Sequence, residues 1–226
     1  MSGSWWSDAV LVAGKDLRLE LRSRVAINHV LPFVAVVVML FGIALDADTS
    51  TLRRAESGLF WVTIVFASML VIQRSAAVDR ADGLADAIRL SGLRPAGVYA
   101  GKVVALTAQL LAVAVVLAIT MVVIYGTDPS SPALLAVTTV LAVACIAAAG
   151  AIYGPLAAGL AGRETVLSLL LLPVLAPVLL SATRAFEVAL GRGVGTGWPW
   201  VGMLVMLLVT YSVLGALTAG PLLDET

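Results

Sequence analysis

Residues 98–125 read VYAGKVVALTAQLLAVAVVLAITMVVIY, 28 residues with one charge, Lys102. A helix crosses the hydrocarbon of a bilayer with about 20 mostly apolar residues. This stretch is therefore long enough to tilt, or to run on past the lipid. Backbone groups in lipid must bond within their own segment, which selects a helix for an apolar run of this kind. The composition of the whole chain agrees: 61% of its 226 residues are hydrophobic and 12% charged, where soluble domains carry about 25% charged residues.

Five more segments qualify as spans on either side of it. Residues 25–45 end before Asp46, and residues 57–73 lie between Glu56 and Arg74. Residues 133–161 follow the turn cluster of Gly126, Asp128, Pro129 and Pro132. Residues 165–183 contain Pro173 and Pro177, which are expected to bend them. Residues 198–220 follow the glycine-rich stretch 191–197. The expected fold class is an all-α membrane protein with one six-helix domain over 25–220, an N-terminal segment 1–24 and a short acidic tail 221–226.

With a cytoplasmic N-terminus, ten Lys and Arg fall on the inner side and four on the outer. That excess predicts both termini inside. Trp5, Trp6, Trp61, Trp198 and Trp200 fall at or near the expected helix ends, as interfacial aromatics do. Residues 1–8 lack the charged region and cleavage pattern of a signal peptide, so the first span is expected to serve as its own insertion signal.

Two segments are expected not to span. Residues 5–24 predict an amphipathic helix, with Val10, Leu17 and Leu21 on one face and Lys15, Arg18 and Arg22 on another. A basic helix of this kind rests on anionic headgroups or docks on a partner helix. Residues 76–90 predict a second, cytoplasmic helix. Ala77, Ala81, Leu84 and Ile88 form one stripe, and Asp79, Asp82, Asp86 and Arg89 lie opposite. The pattern suits a solvated connector or a helix seated in a groove of a cytoplasmic protein. Gly83 costs such a helix about 1 kcal/mol against alanine, and Pro95 biases Arg94 to an extended backbone.

The sequence carries little enzyme chemistry. Residues 96–103, AGVYAGKV, come nearest to a phosphate-binding loop. Ala96 stands where that motif needs glycine, and Val103 offers magnesium no hydroxyl. His29 is the only histidine, which excludes multi-histidine metal sites and H-E-x-x-H chemistry. A structural role near the interface is expected for it. Cys145 is the only cysteine, so no intrachain disulfide forms, and a small buried residue is expected there. A formal net charge of zero gives no reason to expect a nucleic-acid partner. Gly97 with Gly101, and Gly150 with Gly154, have the small-xxx-small spacing that lets helices approach closely in lipid. Arg184 and Glu187 can pair three residues apart, in a short outer helix with Phe186 and Val188.

Three stretches in this order resemble the CcmB family, the membrane subunits of cytochrome c maturation ABC transporters. They are DLRLELR at 16–22; GLFWV at 58–62 with Gln73, Arg74, Asp82, Gly83 and Pro95; and LLPVLAPVL at 171–179. Gln73 stands where the family commonly has glutamate. The resemblance implies a type-2 ABC permease with six spans, located in the bacterial cytoplasmic membrane. It also implies a separate CcmA-like ATPase, a second copy of this chain, and CcmC-, CcmD- and CcmE-like haem-handling partners. ATP would be bound by the partner and no cofactor by this chain, with haem as the species transported or handled. The segment 76–90 would be the coupling helix, with Asp79, Asp82, Gly83, Leu84, Asp86 and Ile88 facing the ATPase. Two alternatives stay open: an exporter permease for another cargo such as a drug or lipid, and an assembly scaffold that transports nothing.

Overall fold

The computed structural model describes residues 5–23, 31–44, 49–81, 92–158 and 163–225. These form seven α-helices, with no strand among the described residues: α1 (Trp5–Ser23), α2 (Leu31–Ala44), α3 (Thr49–Ala81), α4 (Pro95–Tyr125), α5 (Pro132–Ala158), α6 (Arg163–Ala189) and α7 (Trp198–Glu225). Five helices are long and apolar enough to cross a membrane, over 54–79, 95–124, 132–156, 169–189 and 198–220. The chain is an all-helical, multi-pass membrane protein. The expected first span, 25–45, is described only as α2, whose 14 residues fall short of the about 20 that a span needs. Its expected start, with His29, lies outside the described residues.

Local chemistry sets the ends of α4. Arg94 is extended, with φ −72° and ψ 130°, as Pro95 requires of its predecessor. Gly126 closes the helix in the left-handed region, φ 61°, and its N–H donates to the carbonyl of Val122.

Three expectations are corrected. The second span is not confined to 57–73, because α3 begins at Thr49 and runs unbroken to Ala81. Nothing between Gln73 and Ala81 breaks a helix, so residues 76–81 continue that span rather than open a new helix. Trp61 is therefore in mid-helix and buried, with its ring against Phe60 and Phe186 at centroid distances of 5.2 and 5.8 Å. It packs inside the bundle and not at a helix end. Arg184 and Glu187 do pair, at 3.2 Å, but within the last turns of α6 and not in a separate helix. Phe186 beside them is buried against Phe60.

The centre of the bundle is α5, which packs on α3, α4, α6 and α7. Its Ala142, Val143, Cys145, Ile146 and Ala147 to Ala149 are fully buried. Small side chains let four helices close around one, where dispersion contacts replace the hydrophobic drive that lipid does not supply. Gly150 and Gly154 face α3: a Cβ on Gly150 would lie 2.4 Å from Cδ1 of Ile72, and one on Gly154 would lie 3.2 Å from Cγ2 of the same side chain. Tyr99 of α4 crosses to α5 and α7, its hydroxyl 3.2 Å from the carbonyl of Ala148 and 3.1 Å from that of Tyr211. Tyr211 in turn donates to the carbonyl of Val174 in α6 at 2.7 Å. Pro173 and Pro177 remove two backbone donors from α6, yet the helix is continuous through both.

One end of the bundle gathers the start of α3, the end of α4 and the loop from α6 to α7. Here Glu56, 1% exposed, is ion-paired with Arg192 at 2.8 Å and accepts a hydrogen bond from the hydroxyl of Thr127. The loop is tight: the N–H groups of Arg192 and Gly193 both donate to the carbonyl of Glu187, and Gly191 has φ 74°. A side chain at Gly191 would strike the hydroxyl of Ser130.

Candidate functional site

The opposite end holds the last turns of α3, the first turns of α4, and α1. The N-terminal helix packs on α4 by a face of small and acidic side chains. Val10 is 67% exposed, while Asp8, Ala9, Val12, Ala13 and Asp16 are buried. The reason is the surface it meets. Gly97 and Gly101 cut a shallow notch into α4 that admits only small or β-branched side chains and backbone. A Cβ on Gly97 would lie 2.8 Å from Cβ of Asp8 and 3.0 Å from the carbonyl oxygen of Trp5. The contacts advance in step along both helices, from Asp8 at Gly97, through Val12 at Gly101, to Asp16 at Lys102.

Charge completes the docking. The backbone N–H of Arg94 donates to Asp8 Oδ2 at 3.4 Å. Arg94 caps α4 without a side-chain hydrogen bond of its own, so Asp8 satisfies an orphan donor and places negative charge at the positive end of the helix dipole. Two turns further on, four side chains close a ring. Lys15 lies 3.0 Å from Asp16 and 3.7 Å from Asp79; Lys102 lies 3.4 Å from Asp16 and is hydrogen-bonded to Asp79. Each lysine touches both aspartates, and each aspartate touches both lysines. These are the only two lysines in the chain. Two members are poorly exposed, Lys102 at 14% and Asp16 at 9%, and two are partly exposed, Lys15 at 30% and Asp79 at 27%. Four charges summing to zero can sit at a membrane boundary because none is left alone.

Of the expected ATPase-facing residues, Asp79 is thus engaged within the chain. Asp82, Gly83, Leu84, Asp86 and Ile88 lie outside the described residues, which resume at Gly92. The sequence reading missed Lys15, Asp16 and Lys102 as a set. The available signal was Lys102 itself, the one charge in a 28-residue apolar run.

A family model described as CcmB protein matches residues 8–222. The chain belongs to the CcmB family. The match to CcmB begins at Asp8, so it takes in the docked face of α1, the charge ring and all of the bundle's long helices. Three curated relatives carry the name heme exporter protein B. That of Haemophilus influenzae is 27% identical over 210 residues, covering 92% of this chain and 90% of that protein. That of Paracoccus denitrificans is 26% identical over 204 residues, and that of Pseudomonas aeruginosa 26% over 201, each covering 88% of this chain and 90% of the relative. The CcmB match therefore extends along nearly the full length of both partners in each comparison.

Proposed function

We propose that this CcmB-family chain is the membrane subunit of an ABC complex that delivers or exports haem for the maturation of c-type cytochromes. The observation that carries this reading is the family match over residues 8–222, together with relatives named heme exporter protein B along 90% of their length. In this reading the chain crosses the bacterial cytoplasmic membrane six times with both termini inside. A separate CcmA-like ATPase supplies nucleotide chemistry and docks on the segment that follows α3, residues 82–90. A second copy of the chain and CcmC-, CcmD- and CcmE-like proteins complete the assembly. The failed phosphate loop at 96–103 supports this division of labour. So does the charge ring, which ties the end of α3, from which residues 82–91 continue, to two other helices. ATP hydrolysis then drives passage of haem, or release of the haem-loaded chaperone.

The test is purification in mild detergent with identification of what co-purifies. An ATPase and haem-handling proteins are expected. Asp82→Lys, Asp86→Lys and Leu84→Asp are expected to weaken ATPase association. Unchanged co-purification and ATP turnover in all three variants overturns the docking assignment. A lone ATPase without haem-handling partners overturns the haem assignment.

A further inference from the structure

We propose that Lys102 is a positioning residue that makes the end of α3 move with α1 and α4 when ATP is turned over. The inference rests on the ATP-coupled reading above. Among the packed helix pairs, α1 lies on α4, while α3 lies on α2, α4, α5 and α6. The principal described link from α3 to α1 is the ring itself: Asp79 of α3 meets Lys102 of α4 and Lys15 of α1, and Lys102 also holds Asp16 of α1.

A closed ring of four charges suits a moving joint better than a single pair does. Asp79 can shift its weight between Lys102 and Lys15, which stands 3.7 Å away, without becoming an unpaired charge. An apolar contact would be lost over the same ångström or two, and an isolated buried pair would leave one partner uncompensated. Lys102 is the hub because it stands on the helix between the other two. It alone joins an aspartate of α1 to an aspartate of α3 from outside both. The N–H of Arg94 bonded to Asp8 holds the other end of the same contact, so α1 follows α4 as one piece.

The experiment uses the full complex in a strain lacking its own copy of the gene. It has three readouts: ATPase co-purified per membrane subunit, ATP turnover of the purified complex, and c-type cytochrome formed, by haem staining. Lys102→Met should keep the ATPase at the parent's stoichiometry and turn over ATP within twofold of the parent, while cytochrome formation falls at least tenfold. Lys102→Arg should restore formation to within twofold. Should Lys102→Met fail to accumulate in the membrane, the double variant Asp16→Asn/Lys102→Met keeps the site neutral and should show the same split. Parental cytochrome formation in the methionine variants overturns the proposal. So does loss of the ATPase together with formation, which would make Lys102 part of docking. A parent complex that contains no ATPase overturns the ATP-coupled reading instead, and is told apart by the first readout.

Discussion

Gly101 of α4 lies so close to Ala9 of α1 that a Cβ added to the glycine would stand 2.6 Å from the alanine's carbonyl oxygen, and 2.7 Å from Cβ of Val12. A backbone oxygen in a helix cannot turn aside as a side chain can. Gly101→Ala is therefore expected to lift α1 off its notch, with a cost of about 1–3 kcal/mol as in other overpacked sites. A cysteine replacing buried Val12, in a Cys145→Ser background, reports this directly. Its labelling by a membrane-impermeant thiol reagent should speed up at least tenfold when Gly101 becomes alanine. Equal rates would show that α1 is not held there.

Gly150 and Gly154 predict a graded pair against a neighbour that can yield. Gly150→Ala meets Cδ1 of Ile72 at 2.4 Å, and Gly154→Ala meets Cγ2 of the same side chain at 3.2 Å. The first should lower thermal stability in detergent by about 1–3 kcal/mol and the second by less. Ile72→Ala removes both atoms that Gly150→Ala would strike, Cδ1 at 2.4 Å and Cγ1 at 2.7 Å, so Gly150→Ala should cost little more when added to Ile72→Ala. Unfolding is followed by the reaction of a fluorogenic thiol reagent with Cys145, which is buried and the only cysteine. Additive losses would sink the assignment.

Glu56 and Arg192 predict an asymmetry. The carboxylate is 1% exposed and the Arg192 side chain 29%. Arg192→Met strands a buried charge, a change that costs about 3–5 kcal/mol elsewhere. Glu56→Gln leaves a cation that water can reach and should cost clearly less. Adding Glu56→Gln to Arg192→Met should then raise stability, because it removes the stranded charge. The same thiol assay checks the order of the three variants. A double variant less stable than Arg192→Met contradicts the clasp.

Tyr99 separates hydrogen bonding from shape. Its hydroxyl bonds helix carbonyls that also belong to their own ladders, so Tyr99→Phe should cost only about 0.5–1.5 kcal/mol. Gly215→Ala should cost more, since its Cβ would lie 2.1 Å from Cζ of the tyrosine ring. Combining it with Tyr99→Ala, which empties that space, should leave Gly215→Ala with little further effect. A Gly215→Ala protein as stable as its parent refutes the packing of ring on glycine.

The long apolar runs were legible because hydropathy and helix breakers act locally. Gly126, Pro129 and Pro132 mark the turn between α4 and α5, and the extended Arg94 follows from Pro95. The face that α1 turns to α4 was not legible in its own pattern, since Val10 is exposed while Asp8, Ala9 and Val12 are buried. What decides it is the notch at Gly97 and Gly101, which is distant in sequence. Glu56 and Arg74 were read as the boundaries of a span, yet both lie inside α3. A single helix carries its charges past the lipid when those charges find partners, as Glu56 does in Arg192. Lys102 alone hinted at the ring, and its partners were not legible. Lys15 and Asp16 lie on one helix, Asp79 and Lys102 on two others, and only the packing of α1 on α4 brings them within reach.

The two clasps of α3 also fix a length. Glu56 and Asp79 are 23 residues apart on one continuous helix, which at 1.5 Å per residue is about 35 Å. The hydrocarbon of a typical bilayer is about 30 Å thick. The charged groups that hold α3 at each end are therefore far enough apart to stand on either side of the fatty-acyl layer, and we infer that they set how thick a membrane the protein fits without strain. Thinner or thicker bilayers must be met by tilting the whole bundle or deforming the lipid, since neither clasp can move inward without drawing a charge into oil. Reconstitution in lipids of graded chain length should therefore find an optimum near that thickness, and weakening the Glu56 clasp should broaden it.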